Sequence, residues 1–237
     1  MNEFTKEQQN EFFEKIKRFE DDGPPIEIER LLTQTPSLIN ARSDVGQNAL
    51  HCAQTLSVFE LLYAKQPSLI NEKDNRGDLP IHIAAFNGNL SVVQFILRQR
   101  PKHINVKGVF GRTPMLNACW EGHLHVMQYL YDQQPNTINE KDNIGRTALH
   151  GVAYCNGDID DHIKCAEWIV NTLNRRDLLF VKDENGRTPL AIAQRYDNRK
   201  AMAVWLQSAM DDDQTPPTDD KNNDNDTMAV PNAPPMD

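Results

Sequence analysis

The sequence predicts an all-α solenoid, a row of helix pairs joined by short hairpin loops, and three observations predict it. The stretch SLINEKDNRG at residues 68–77 returns as TINEKDNIG at 137–145, with Asn71 and Asn139 68 positions apart. A weaker copy, HINVKGVFG at 103–111, places Asn105 at the midpoint, so the period is 34. Gly46, Gly77, Gly111, Gly145 and Gly186, spaced 31, 34, 34 and 41 residues apart, then each open one similar phrase: GQNALHCA, GDLPIHIA, GRTPMLNA, GRTALHGVA and GRTPLAIA. Finally, the apolar residues of these phrases and of the following segments VVQFIL, VMQYLY and AEWIV recur at helical, three-to-four spacing, while Asn, Asp and Gly punctuate the gaps as turns do.

Taken in order, residues 4–41 form a degenerate first unit that caps the stack. Phe12, Phe13, Ile16 and Phe19 share one helical face, and Gly23 precedes Leu31 by the same interval as Gly122 precedes Leu130. The unit 42–73 lacks about three residues between its helices, and Ser57 is placed to cap the second. Units 74–107 and 108–141 are regular. In the latter, Thr113 caps a helix whose first residue is Pro114, where no N–H is needed, as Thr188 and Pro189 do in the last unit. Gly88 and Gly122 close the first helices with a left-handed residue. Pro36, Pro67, Pro101 and Pro135 stop the second helices. Unit 142–182 carries an insertion, NGDIDDHIKC at 156–165, which reads as a solvated acidic loop between its helices, and 183–210 is the closing cap. One such unit cannot bury its own apolar face, so neighbours stack into a continuous core.

GRTPMLNACWEGH (111–123) and GDLPIHIAAFNGN (77–89) resemble the ankyrin repeat, and the resemblance spans residues 23–206. It implies an ankyrin solenoid of about six units including both caps, a role as a protein-protein interaction scaffold, and a structural task for His51, His82 and His150, which would tie each turn to the next unit. The uneven units, followed by a short polar C-terminus, also resemble ankyrin effectors that intracellular bacterial pathogens deliver into host cells. That likeness implies a host protein as partner and a C-terminal export signal, with secretion into a host cell as the alternative to a cytoplasmic location.

Composition narrows the rest. With 39% hydrophobic and 25% charged residues the 237-residue chain reads as soluble and globular. No run approaches the ~18 apolar residues of a membrane span, and the first residues alternate charge with apolar side chains, unlike a signal peptide. Cys52, Cys119, Cys155 and Cys165 are too scattered for a disulfide framework and read as reduced core thiols. Residues 211–237 hold eight aspartates against one lysine, a net of −7, so the remainder carries only −2 of the chain's −9. That segment, poor in large apolar residues, is expected to be a disordered acidic tail. A body near neutrality without a dense Lys/Arg stripe argues against nucleic acid, and a monomer is expected.

No GxSxG, HExxH or P-loop pattern is present, so the sequence predicts no enzyme, no cofactor and no metal. Asp158, Asp160, Asp161 and His162 lack the glycine and distal glutamate of a calcium loop. The candidate interface comes from aligning the units. Seven residues after the helix-capping position stand Thr55, Phe86, Trp120, Tyr154 and Arg195, in a row that faces the concave surface of this fold. Exposed aromatics there, Trp and Tyr above all, mark binding sites. A second row follows the hairpin glycines: Gln47, Asp78, Arg112, Arg146 and Arg187. With Phe110 and Tyr196 beside them, these residues predict a basic, aromatic face suited to an acidic peptide or helix. The alternative is an enzyme or metal-dependent adaptor that uses the insertion 156–165 or Cys155.

Overall fold

A computed structural model describes residues 4–18, 24–155 and 157–212. Phe19, Gly23 and the predicted tail from residue 213 onward lie outside the described residues, as does Asn156. The chain runs through α1 (Lys6–Lys17), α2 (Ile26–Gln34), α3 (Ala49–Cys52), α4 (Leu56–Lys65), α5 (Pro80–Phe86) and α6 (Leu90–Gln99). It continues through α7 (Pro114–Glu121), α8 (Leu124–Gln133), α9 (Ala148–Tyr154), α10 (Ile159–Glu167), α11 (Pro189–Ala193) and α12 (Lys200–Asp211). Among the described residues there is no β-strand. The fold is an all-α solenoid.

The helices start and stop where local chemistry dictates. The Thr113 hydroxyl accepts from Leu116 N (3.4 Å) and that of Thr188 from Ala191 N (3.2 Å), while Pro80, Pro114 and Pro189 occupy first-turn positions whose missing N–H costs nothing. Gly122 ends α7 at φ 76°, and a Cβ there would sit 2.7 Å from the His162 ring. Thr5 caps α1 reciprocally with Gln8, the capping box that the stretch TKEQ spells out. The prolines after the outer helices do more than stop them. Pro36, Pro67, Pro101 and Pro135 each open a single 3-10 turn, and those turns bury Leu38, Leu69, Ile70, Ile104 and Ile138.

Odd-numbered helices pack on one another from α1 through α11, and even-numbered ones from α4 through α12, so two layers share one core. The inner layer is most buried at its centre: every residue of α7 from Pro114 to Trp120 is buried. Its small residues, Ala84, Ala85, Ala118, Gly151 and Ala153, let successive helices approach closely. A Cβ on Gly151 would stand 3.3 Å from that of Cys119. Large apolar side chains such as Phe59, Ile96, Met127 and Leu130 fill the space between layers.

Two expectations need correction. In the shortened second unit α3 is only four residues long, so Thr55 is the first residue outside α4 and Ser57 lies within that helix. Deleting residues between helices removed the end of the inner helix, and Thr55 therefore does not share the register of Phe86 and Trp120. The acidic insertion is not a loop. Asp158 accepts from Asp160 N (2.8 Å) and Asp161 N (3.4 Å), the N-cap pattern, so the inserted residues extend α10 from Ile159. The extra length is absorbed at the other end by a π turn over Trp168–Thr172, where Leu173 N bonds to Trp168 O at 2.9 Å.

Candidate interaction surface

Each hairpin is organised by the residue three before its glycine. Asp74 Oδ1 accepts from Arg76 N and Asp78 N, Asp142 Oδ1 from Ile144 N and Arg146 N, and Asp183 Oδ1 from Asn185 N and Arg187 N, all between 2.9 and 3.0 Å. Short side chains that bond their own backbone in this way set turns. Successive hairpins are then linked by backbone bonds: Asn75 N to Val45 O (3.1 Å), Asn143 N to Phe110 O (2.9 Å) and Glu184 N to Ile144 O (3.0 Å). Histidines supply a second set of links. His51, His82 and His150 accept through Nδ1 from the backbone N–H of Asn48, Leu79 and Thr147, which leaves Nε2–H to donate to the carbonyls of Asp78 (2.9 Å), Val106 (2.8 Å) and Arg187 (3.0 Å). Burial holds all three rings below the ordinary histidine range. This row is structural, as the resemblance implied.

The hairpin at 108–112 departs from the others. Gly108 replaces the organising aspartate, and a Cβ at that position would meet Asp78 Oδ1 at 2.0 Å. The Asp78 carboxylate, reaching over from the preceding unit, takes the bond from Val109 N (2.8 Å) that a backbone carbonyl takes at the neighbouring joints. Without a side chain to hold its N–H, Phe110 adopts φ 56°, a conformation few L-residues other than Asn and Asp favour, and its ring is 62% exposed. Asp74 and Arg112 are left as two halves of separate pairs. At Asp142 and Asp183 the second carboxylate oxygen is held by the arginine four residues on, at 2.6 Å from Arg146 Nη2 and 2.7 Å from Arg187 Nη2. Asp74 has Asp78 at that position, and its Oδ2 is buried without a partner; Arg112 has Gly108, and its Nε is buried without one.

The predicted arginine row thus divides. Arg146 and Arg187 are not free charges at the tips: their guanidinium groups brace the buried Asp142 and Asp183. Although burial pushes the Asp183 carboxyl up, hydrogen bonds from Arg187 hold it below the usual carboxylate range. Arg112 instead lies over Trp120, its guanidinium carbon 3.6 Å from the ring centroid and 5.4 Å from that of Phe110. Burial, with Arg146 nearby, lowers its pKa.

The exposed aromatic ladder is corrected in the same way. Trp120 is only 7% exposed. Tyr154 stacks on it with centroids 4.2 Å apart and planes inclined by 28°, while Arg112 and Arg146 cover it as cations. Helices α7 and α9 stand close enough that Trp120 and Tyr154, in equivalent positions, touch one another. Tyr154 is half-buried, and beyond it lies Arg199, whose guanidinium carbon is 4.3 Å from the Tyr154 centroid and 4.2 Å from that of Tyr196. Phe86 (40% exposed) and Tyr196 (42%) remain open, as does Arg195, 5.8 Å from the Tyr196 ring. The structure gathers Phe110, Arg112, Trp120, Arg146, Tyr154, Tyr196 and Arg195 along one face, with Phe86 one inner helix away.

Sequence reasoning missed Arg199. It belongs to a short 3-10 turn, Asp197–Arg199, that stands before α12 and, among the described residues, has no counterpart before the other outer helices, so no register position announces it. Gly108 could have been found, since it is the one glycine at a position held elsewhere by Asp or Ser.

The residues of the alternative reading are engaged elsewhere. His162 is fully buried, with Nδ1 2.8 Å from Asp158 O and Nε2 3.2 Å from Trp120 O, and Asp161 pairs with Lys164 at 2.9 Å. Burial pushes the Cys155 thiol up, the opposite of nucleophile activation, and Cys52 and Cys165 to about 11 and about 12. Among the described residues no group of three His, Cys, Asp or Glu is placed to hold a metal ion, and no helix is long and apolar enough to cross a membrane.

Residues 52–142 and 81–177 match the family model described as ankyrin repeats (3 copies). No curated protein matches the chain. The matched span holds the recurring helix pairs, the left-handed hairpin glycines and the histidine links between units: the chain belongs to the ankyrin repeat family.

Proposed function

We propose that the chain is a non-enzymatic scaffold that holds a partner protein against its inner-helix face and hairpin tips, centred on the units that carry Phe86, Phe110 and Tyr154. Repeats of this family are in general protein-protein interaction modules. The observation that carries the placement is Phe110. A large apolar ring, 62% exposed, is held at a hairpin tip in a left-handed backbone conformation that disfavours it, beside the half-buried Arg112. Strain and exposure at one residue are costs that a contact with a partner offsets. Phe86 and Tyr196 extend the same apolar surface to either side.

The test is site-specific photo-crosslinking. A benzoyl-phenylalanine at position 110 or 86 is expected to trap the same partner, and one at position 102, in the turn after α6, none. Crosslinks that form only from position 102 would place the interface on the outer surface and defeat this reading. Delivery into a host cell is a separate proposal, supported by the uneven units and the polar composition of residues 211–237. A translocation reporter fused to the chain, with and without those residues, decides it: entry independent of them rules out a C-terminal signal.

A further inference from the structure

We propose that Arg112 and Arg199 form a two-point receptor for carboxylates, and that the partner segment seated on this face is an acidic peptide presenting at least two of them. The proposal rests on the interaction reading above and adds the chemistry of what is recognised. Arg199 is only 5% exposed, and its Nε and Nη1 are buried with no hydrogen-bond partner, as is Nε of Arg112. Buried guanidinium N–H groups are almost always satisfied, so these unpartnered groups, lying beneath a surface that displays the exposed rings of Phe86, Phe110 and Tyr196, point to an acceptor supplied from outside when the face is occupied.

The fold itself says which acceptor. At the hairpin positions equivalent to Arg112, Arg146 and Arg187 each hold a carboxylate oxygen of the aspartate four residues earlier. In the 108–112 hairpin that aspartate is Gly108, and its space is filled by Asp78, whose Oδ1 is engaged with Val109 N. A ligand carboxylate would therefore do for Arg112, from outside, what Asp142 and Asp183 do for their arginines. Planar guanidinium groups pair with carboxylates through two parallel bonds.

The number of carboxylates follows from the stacking. Tyr154 stacks on Trp120 with centroids 4.2 Å apart, and Arg112 and Arg146 lie over the same ring, 3.6 and 4.6 Å from its centroid. Arg199 is held between Tyr154 and Tyr196. The contacts run Arg112, Trp120, Tyr154, Arg199, Tyr196, so two stacked rings stand between the two unpartnered guanidinium groups. One carboxylate cannot bridge them, but two side chains of one acidic segment can.

The experiment uses the full chain with ¹⁵N-labelled arginine and two peptides, one of six glutamates and one of six glutamines. The expected result is that the glutamate peptide shifts the Nε–H resonances of Arg112 and Arg199 and leaves those of Arg146 and Arg187, already paired, in place. Arg112→Gln should weaken binding of a fluorescein-labelled glutamate peptide at least about tenfold, the consequence of losing one bidentate pair, whereas Arg98→Gln on α6 should not. Because Arg199 is packed, Arg199→Lys keeps charge and length and serves beside Arg199→Gln; it should also bind less tightly, having lost the planar fork. Equal shifts with the glutamine peptide, or equal losses for Arg98→Gln and Arg112→Gln, would overturn the assignment. So would resonances of Arg112 and Arg199 that move when residues 213–237 are deleted while the full chain ignores the peptide, since the acidic end of the chain would then be the occupant. Photo-crosslinking from position 110 reports the interface whether or not carboxylates are what it reads.

Discussion

Replacing Trp120 by alanine separates a core residue from a docking residue. The indole is 7% exposed, stacked on Tyr154, and overlaid by Arg112 and Arg146. Loss of its burial is worth about 2 kcal/mol, loss of the stacked pair about 1 kcal/mol, and loss of the two cation contacts about 0.5 kcal/mol each. The expected destabilisation is about 4 kcal/mol, inside the range of roughly 3–5 kcal/mol for removing a buried aromatic ring. Urea denaturation followed by far-ultraviolet circular dichroism measures it without relying on the missing fluorophore. Trp120→Phe, which keeps a ring for Tyr154 and Arg112 to stack on, should lose about half as much. A loss below about 1 kcal/mol for Trp120→Ala, the size of an ordinary surface change, would mean that the indole faces solvent and that the stacked column does not exist in solution.

Three further outcomes are expected. Gly122→Val should cost at least about 1 kcal/mol from the left-handed backbone alone, and more because its Cβ would stand 2.7 Å from the His162 ring; an unchanged urea midpoint refutes that geometry. Phe110→Asn should leave stability unchanged or raise it by about 0.5 kcal/mol, since Asn tolerates the left-handed region, while removing the crosslinked partner; a clear loss of stability would make Phe110 a packing residue. Stability should fall between pH 7 and 5. His51, His82 and His150 have folded pKa values lowered by burial, so below about pH 6.5 the unfolded chain takes up protons that the folded one refuses. Each contributes a slope of up to about 1.4 kcal/mol per pH unit until its folded pKa is reached, and His150→Gln should reduce the slope; a flat wild-type profile would show that the folded rings take up protons as readily as the unfolded ones, against their burial.

What the sequence by itself determined is whatever is local or periodic. The hairpin glycines, the Thr-Pro helix starts and the three-to-four apolar spacing each follow from the backbone conformation or the face that a residue can serve within its own unit, and the period carries that reading from one unit to the next. The histidine row was legible for the same reason, since its links repeat in register. Tertiary structure alone decided which equivalent side chains meet. Trp120, Tyr154 and Arg199 come from three units, and whether they point into solvent or onto each other depends on the separation of neighbouring helices, a distance no single repeat encodes. It also decided the partners of the arginines. Arg112, Arg146 and Arg187 look alike in the aligned phrases, yet two brace buried aspartates and one is released, because Gly108 gives up its place to a carboxylate from the unit before. A charge reads the same in any sequence; its function is set by which opposite charge the fold brings into contact with it, and here the fold leaves Arg112 without a direct ion pair while Arg146 and Arg187 have theirs.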